Sequence, residues 1–119
     1  MTREELLRYF LSKPGAFEDY PFGDDVTVLK VASKMFALIN AKEDLSVNLK
    51  CDPLFAEELR HQFEGVKPGY HMNKRHWNTV EINNDIPDEE VFKMIDHSYE
   101  LVFSKLKKAE KIEILDIEQ

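Results

Sequence analysis

Between Val66 and Val80 the chain carries the cations Lys67, Lys74 and Arg75, the aromatics Tyr70 and Trp77, the imidazoles of His71 and His76, the amides of Asn73 and Asn78, and no acid. Cations beside aromatic faces are what short loops use to hold nucleic acid, because the charges neutralise phosphate while a ring stacks on a base or packs on a sugar. Asn73 and Asn78 add amides able to read base edges. The stretch sums to +3 in a chain of formal charge −7, which leaves −10 on the remaining residues. Such segregation is the condition under which an acidic protein can still approach a polyanion. The nucleic-acid-binding candidates are therefore Lys67, Tyr70, Asn73, Lys74, Arg75, His76 and Trp77, with Lys74-Arg75-His76 as a wing on phosphates. Lys34, beside a second expected hairpin turn, is the candidate for another wing. Two plainer roles compete: a lone tryptophan is also the natural core anchor of a small domain, and a Lys-Arg pair also suits a solvated turn.

Other chemistry finds less support. His61, His71, His76, His97 and Cys51 show neither the i, i+4 helical spacing nor the paired-cysteine spacing of a metal site. Cys51 precedes an Asp-Pro helix start, yet Asp52 opposes a thiolate there, so a reduced structural cysteine is expected. Glu18-Asp19 and Asp24-Asp25 lack the ligand rhythm of a calcium loop, and the four glycines form no phosphate-cradling loop. No catalytic constellation, metal or cofactor is expected.

The elements that position the candidates follow from period and punctuation. Thr2 and Glu5 form a capping box for a first helix containing Leu6, Leu7, Phe10 and Leu11, which Lys13-Pro14-Gly15 stops. Ala16 to Asp25 reads as an ordered loop pinned by Phe17, Tyr20 and Phe22. Val26–Val31 and Lys34–Ile39 alternate as strands across the tight turn Ala32-Ser33, and Asn40 to Asp44 turns into a strand at Leu45–Lys50 with one wet face. Asp52-Pro53 starts a helix to about Gln62, expected to bury Leu54, Phe55, Leu59 and Phe63. A bend and a short strand end near Met72, another strand follows from Trp77, and a long helix from near Pro87 lines up Val91, Ile95, Ser98, Val102 and Leu106. The connections are too short for parallel crossovers, so an α+β, two-layer sandwich with an antiparallel five-stranded sheet is expected, in the order α-β-β-β-α-β-β-α.

At 119 residues, with 43% hydrophobic and 33% charged, the composition is that of one soluble domain. A single cysteine excludes an internal disulfide framework, no apolar run approaches a membrane span, and Met-Thr-Arg-Glu-Glu is not a signal peptide, so a cytoplasmic protein with no membrane partner is expected. The last residues, Glu110 to Gln119, keep Ile112, Ile114, Leu115 and Ile117 among four acids. They are expected to dock on the sheet edge, on a protein partner, or on a second copy.

Three segments together resemble the MmcQ/YjbR family: Tyr20-Pro21-Phe22-Gly23, Lys34-Met35-Phe36-Ala37 and Pro68 through Val80, supported by Ile86-Pro87 and Ser98-Tyr99-Glu100-Leu101-Val102. The resemblance covers about 1–108 and leaves 109–119 as a C-terminal acidic-apolar tail. It implies a small bacterial protein with a CyaY-like, secretion-chaperone-like fold, and a DNA-binding role that rests on structural similarity to double-wing DNA binders. Ser33 stands where relatives often carry Gly, which bears on that hairpin turn. The expected function is thus that of a small, non-enzymatic DNA-binding protein, with a regulatory role among the expectations, whose affinity falls with salt by about three counterions' worth. The alternative is a protein-interaction or small-ligand module working through an acid-rich surface that includes Glu18, Asp19, Asp24, Asp25 and the first turn of the last long helix, Asp88, Glu89 and Glu90.

Overall fold

The computed structural model describes residues 1–42 and 44–118, with the side chains of Ile117 and Glu118 outside the description. Its elements run α1 (Arg3–Leu11), β1 (Ala16–Asp19), β2 (Val26–Val31), β3 (Lys34–Asn40), β4 (Ser46–Lys50), α2 (Pro53–Gln62), β5 (Val66–Pro68), β6 (Trp77–Glu81), α3 (Asp88–Ser104) and α4 (Lys108–Glu118). The capping box forms as expected, with Glu5 N–H donating to Thr2 Oγ1 and Thr2 N–H to Glu5 Oε1. Asp52 caps α2 by accepting from the N–H groups of Leu54 and Phe55.

The α+β expectation holds, with six strands instead of five and, among the described residues, a fourth helix over the expected tail; the antiparallel strand order is β1-β2-β3-β4-β6-β5. The extra strand is β1, read above as a loop. It is an edge strand, exposed or half-exposed along its whole length, so its residues lack the apolar–polar alternation that marks a half-buried strand. Phe17, Tyr20 and Phe22 do not pin it, since all three are exposed. In α2 the buried face is Ala56 and Leu59, followed by Phe63, while Leu54 points outward and Phe55 is partly exposed with its ring against His97.

The helices cover one face of the sheet, where Leu6 and Phe10, Ala56 and Leu59, and Val91, Ile95 and Val102 pack on Leu29, Phe36, Ile39, Val47 and Val80. The other face carries a smaller apolar cluster of Val28, Leu38 and Trp77, flanked by Met35 and Met72. There β4 has no wet face: Asn48 is buried and accepts from Thr79 Oγ1 at 2.6 Å.

One irregularity joins the layers. The β2–β3 register passes from Leu29↔Ala37 to Lys30↔Met35, so Phe36 is an extra residue in β3. Phe36 and Ala37 consequently both join the helix-side core. The β3–β4 ladder stops at Ala37↔Leu49. Beyond it the fully buried Ser98 of α3 stands in for a rung, its hydroxyl donating to Phe36 O at 2.6 Å and accepting from Lys50 N–H at 2.9 Å.

In the β2–β3 turn the left-handed residue is Ala32 (φ +53°), not Ser33. At the C-terminus α4 returns to the sheet edge, burying Ile114 against Gly15, whose φ of +73° and missing Cβ make room for it. Ile112 and Leu115 remain exposed, and the fourth apolar tail residue, Ile117, lies outside the described side chains. Among the described residues no helix is long and apolar enough to cross a membrane.

Replacing Ser98 with Ala leaves a buried carbonyl and a buried N–H without their partner, and should lower stability by about 1–3 kcal/mol in urea unfolding. A loss below about 0.5 kcal/mol would show that the two strands close without the hydroxyl.

Candidate nucleic-acid interface

The loop from Gly69 to His76 connects β5 to β6, and its shape is set by close approach to Trp77. Gly69 N–H donates to Trp77 O at 2.8 Å, and a Cβ at Gly69 would sit 2.7 Å from the Cβ of Trp77. Only glycine fits there. His71 takes a left-handed conformation (φ +59°), and Tyr70 N–H donates to Thr79 Oγ1. At the loop's far side Asn73 Oδ1 accepts from the N–H groups of Arg75 and His76, an Asx turn that aims Lys74 and Arg75 outward.

Arg60 of α2, which the sequence reading passed over, holds this loop from beneath. Its Nε donates to Asn78 Oδ1 at 2.7 Å, while Nη2 donates to Lys74 O and, at 3.3 Å, to Trp77 O. An arginine eight residues before Pro68 has no local signal tying it to the loop; only the packing of α2 brings it there.

The proposed contacts therefore divide. Lys74 and Arg75 are exposed; Lys74 Nζ reaches Gly69 O at 3.0 Å, and the Arg75 guanidinium has no hydrogen-bond or ion-pair partner among the described residues. Tyr70 is 65% exposed, its ring 4.0 Å from that of His71, so it is available for stacking. His76 is half-buried, and its carbonyl accepts from Cys51 N–H. Lys67 is bound to Glu81 at 2.5 Å, which holds the Lys67 ammonium above its usual value and removes one of the three expected charges. Trp77 is buried in the second core and offers no stacking face. Neither expected base-reading amide is free: Asn73 closes the Asx turn, and buried Asn78 is taken by Arg60 and by Ala56 O.

The sheet restores what the loop loses. Because neighbouring strands run antiparallel, the β2–β3 turn, the end of β4, the β5–β6 loop and the end of α3 all lie at one end of the sheet. They bring together Lys34, Lys50, Lys74, Arg75 and Lys105. None of the five forms an ion pair among the described residues, whereas Lys13, Lys30, Lys42, Lys67 and Lys93 all do. Asp24, Asp25, Asp44, Glu64, Asp85 and the first turn of α3 (Asp88, Glu89, Glu90) gather at the opposite end. Charge is thus polarised along the strands, with Glu110 and Glu113 of α4 beside Ala32 and Ser33 as acids at the cationic end.

The surroundings of Cys51 are closed. Burial, with the Asp52 carboxylate next, pushes the Cys51 thiol up to about 11. The space beside it, lined by Leu49, Phe55, Met94 and His97, has a volume of about 10 Å³, room for one water at most. Among the described residues no three of His, Cys, Asp and Glu converge as a metal cluster would require.

The sequence pattern described as YjbR matches residues 11–101. The chain belongs to the YjbR family. The YjbR protein of Escherichia coli (strain K12) is 39% identical over 101 residues, covering 84% of this chain and 86% of that one. YyaQ of Bacillus subtilis (strain 168) is 28% identical over 116 residues, covering 85% and 98%. Among solved structures, the crystal structure of Deinococcus radiodurans protein DR2400 superposes with a TM-score of 0.87 at 38% identity, covering 95% of this chain and 87% of that one. A crystal structure of a Pseudomonas syringae protein gives 0.74 at 28% identity, covering 85% and 98%. The YjbR match runs from the end of α1 to the last turn of α3 and contains the whole β5–β6 loop with its Arg60 support.

A thiol held up to about 11 stays protonated in the folded protein, and its contribution to stability is complete below the ordinary value of 9.0 and lost as pH rises through 11. Cys51 should therefore react with a thiol-exchange reagent at pH 8 at least about 100-fold more slowly in the native than in the urea-unfolded protein. Comparable rates would mean the thiol is open to solvent.

Proposed function

We propose that this protein binds nucleic acid, duplex DNA in the first instance, through the cationic end of its sheet, and that it does so without catalysing a reaction. What carries the reading is the convergence of Lys34, Lys50, Lys74, Arg75 and Lys105 from four separate connections at one end, with no carboxylate paired to any of them among the described residues. Two hairpin tips that project together, the β2–β3 turn and the β5–β6 loop, suit contacts to phosphates on either side of a groove. Exposed Tyr70 adds one stacking surface. The acids concentrated at the far end orient the molecule, since a polyanion repels that end and attracts the other.

A second reading draws on a different observation. Phe17, Tyr20 and Phe22 are exposed on and just after the edge strand β1, beside Glu18 and Asp24, and Ile112 and Leu115 are exposed on α4. Such a surface suits a protein partner or a second copy of the chain. If those aromatics serve binding, replacing Phe17 and Phe22 with Ser should leave the unfolding free energy within about 0.5 kcal/mol of the parent, and a larger loss would assign them to the fold instead.

Titration of labelled duplex against salt tests the first reading. Five phosphate contacts correspond to a log–log slope near −4.5, and replacing Lys74 and Arg75 with Ala should reduce its magnitude by about 1.8. No measurable association at about 50 mM salt would overturn the assignment.

A further inference from the structure

A recess of about 350 Å³ opens where the sheet edge, the β2–β3 turn and α4 meet. Small-molecule sites occupy about 300–1,000 Å³, so it is large enough to enclose a compact ligand. Phe17 of β1, Ala32 of the turn and Ile114 of α4 line its apolar side. Gly15 lines it as well, and its missing Cβ is what lets Ile114 seat, so packing fixes the floor.

The polar side is anionic. Ser33 contributes a hydroxyl, and Glu110 and Glu113, three residues apart on α4, both line the recess. Glu110 is half-buried and Glu113 exposed. Glu110 Oε1 accepts from Lys107 N–H at 3.0 Å, whereas Oε2 and both oxygens of Glu113 have no hydrogen-bond partner among the described residues. Neither carboxylate is ion-paired there. Lys111, the cation between them in the chain, donates from Nζ to Ser104 O at 2.8 Å, and Lys30 of the neighbouring strand is bound to Asp19.

Two neighbouring carboxylates repel each other unless a cation lies between them. A metal ion does not suit this pair, because among the described residues no third histidine, cysteine or carboxylate joins them. A primary ammonium does suit it. Its three N–H donors match two carboxylates and one hydroxyl, and an apolar body attached to it would cover the opposite side of the recess.

We propose that this recess is a binding site for a small primary amine with an aliphatic or aromatic body. Glu110, Glu113 and Ser33 hold the ammonium, while Phe17, Ala32 and Ile114 receive the body. The ligand is bound as its cation and is not transformed. The site requires neither nucleic-acid binding nor a partner chain.

Titrating the intact isotope-labelled protein with phenethylammonium at about pH 7, where the amine and both carboxylates are charged, tests this by amide chemical shifts. Shifts should concentrate at Gly15, Ala32, Ser33 and residues 110–114. Affinity should exceed that for phenethyl alcohol, the same body without the charge, at least about tenfold, the ratio that hydrogen bonds to charged groups supply. Equal affinities, or shifts centred elsewhere, overturn the proposal. The Glu110→Gln/Glu113→Gln variant keeps an oxygen to accept from Lys107 N–H, so α4 stays capped, and its preference for the amine should fall to within about twofold. A Glu57→Gln/Glu58→Gln variant removes the same charge from the exposed side of α2 and should keep the full preference. An equal loss in both variants would assign the binding to overall charge and end the proposal. Duplex titration is read separately, so failure of either reading leaves the other to be judged on its own.

Discussion

Antiparallel pairing is the constraint from which the rest of this structure follows. In a sheet where every neighbour reverses direction, alternate connections must fall at the same end, however far apart they lie in the chain. Lys34 and Lys105 are 71 positions apart, yet both lie at the end of the sheet that holds Lys50, because one opens β3 and the other closes the helix laid across β3 and β4. The same rule sends the loops holding Asp24, Asp25, Asp44 and Asp85 to the opposite end. A chain of net charge −7 thereby acquires a cationic pole from residues far apart in its sequence.

That pole depends on the closure of β3 onto β4 at a place where the ladder itself gives out. The bulge at Phe36 turns two consecutive side chains toward the helices, and the hydroxyl of Ser98 carries the hydrogen bonding across the gap. A buried serine on an apolar helical stripe is thus a joint between layers. Its cost in desolvation is offset because it donates and accepts at once. Arg60 performs a similar service for the β5–β6 loop, spending its guanidinium on backbone and side-chain carbonyls so that Lys74 and Arg75 are presented outward.

The motif between Pro68 and Val80 therefore owes most of its composition to architecture. Gly69 permits the approach to Trp77, Trp77 fills the second core, Asn73 closes a turn, and Asn78 answers Arg60. Subtracting those roles leaves Tyr70, Lys74 and Arg75 as the groups whose chemistry remains available, with His71 beside Tyr70. Lys67, an equal member of the motif by composition, is neutralised by Glu81 because the two lie on adjacent strands of the same face.

Much of this was legible in the chain alone. Capping residues, proline and glycine stops, and the two hydrophobic periods determined α1, α2, α3, the strands β2 to β6, and the burial of Val91, Ile95, Ser98, Val102 and Leu106, because those signals act over a few residues and the backbone answers them locally. The segregation of charge was visible too, though assigned to one loop. Only the tertiary structure decided that β1 is a strand, that Leu54 faces outward, that Trp77, Asn73 and Asn78 are structural, and that Lys50 and Lys105 join the cationic end. An edge strand draws its hydrogen bonds from one neighbour and need not bury either face, so it leaves no period to read. Which charges meet is likewise a property of strand order and register, and these are settled between segments distant in sequence, by pairing that no local pattern encodes.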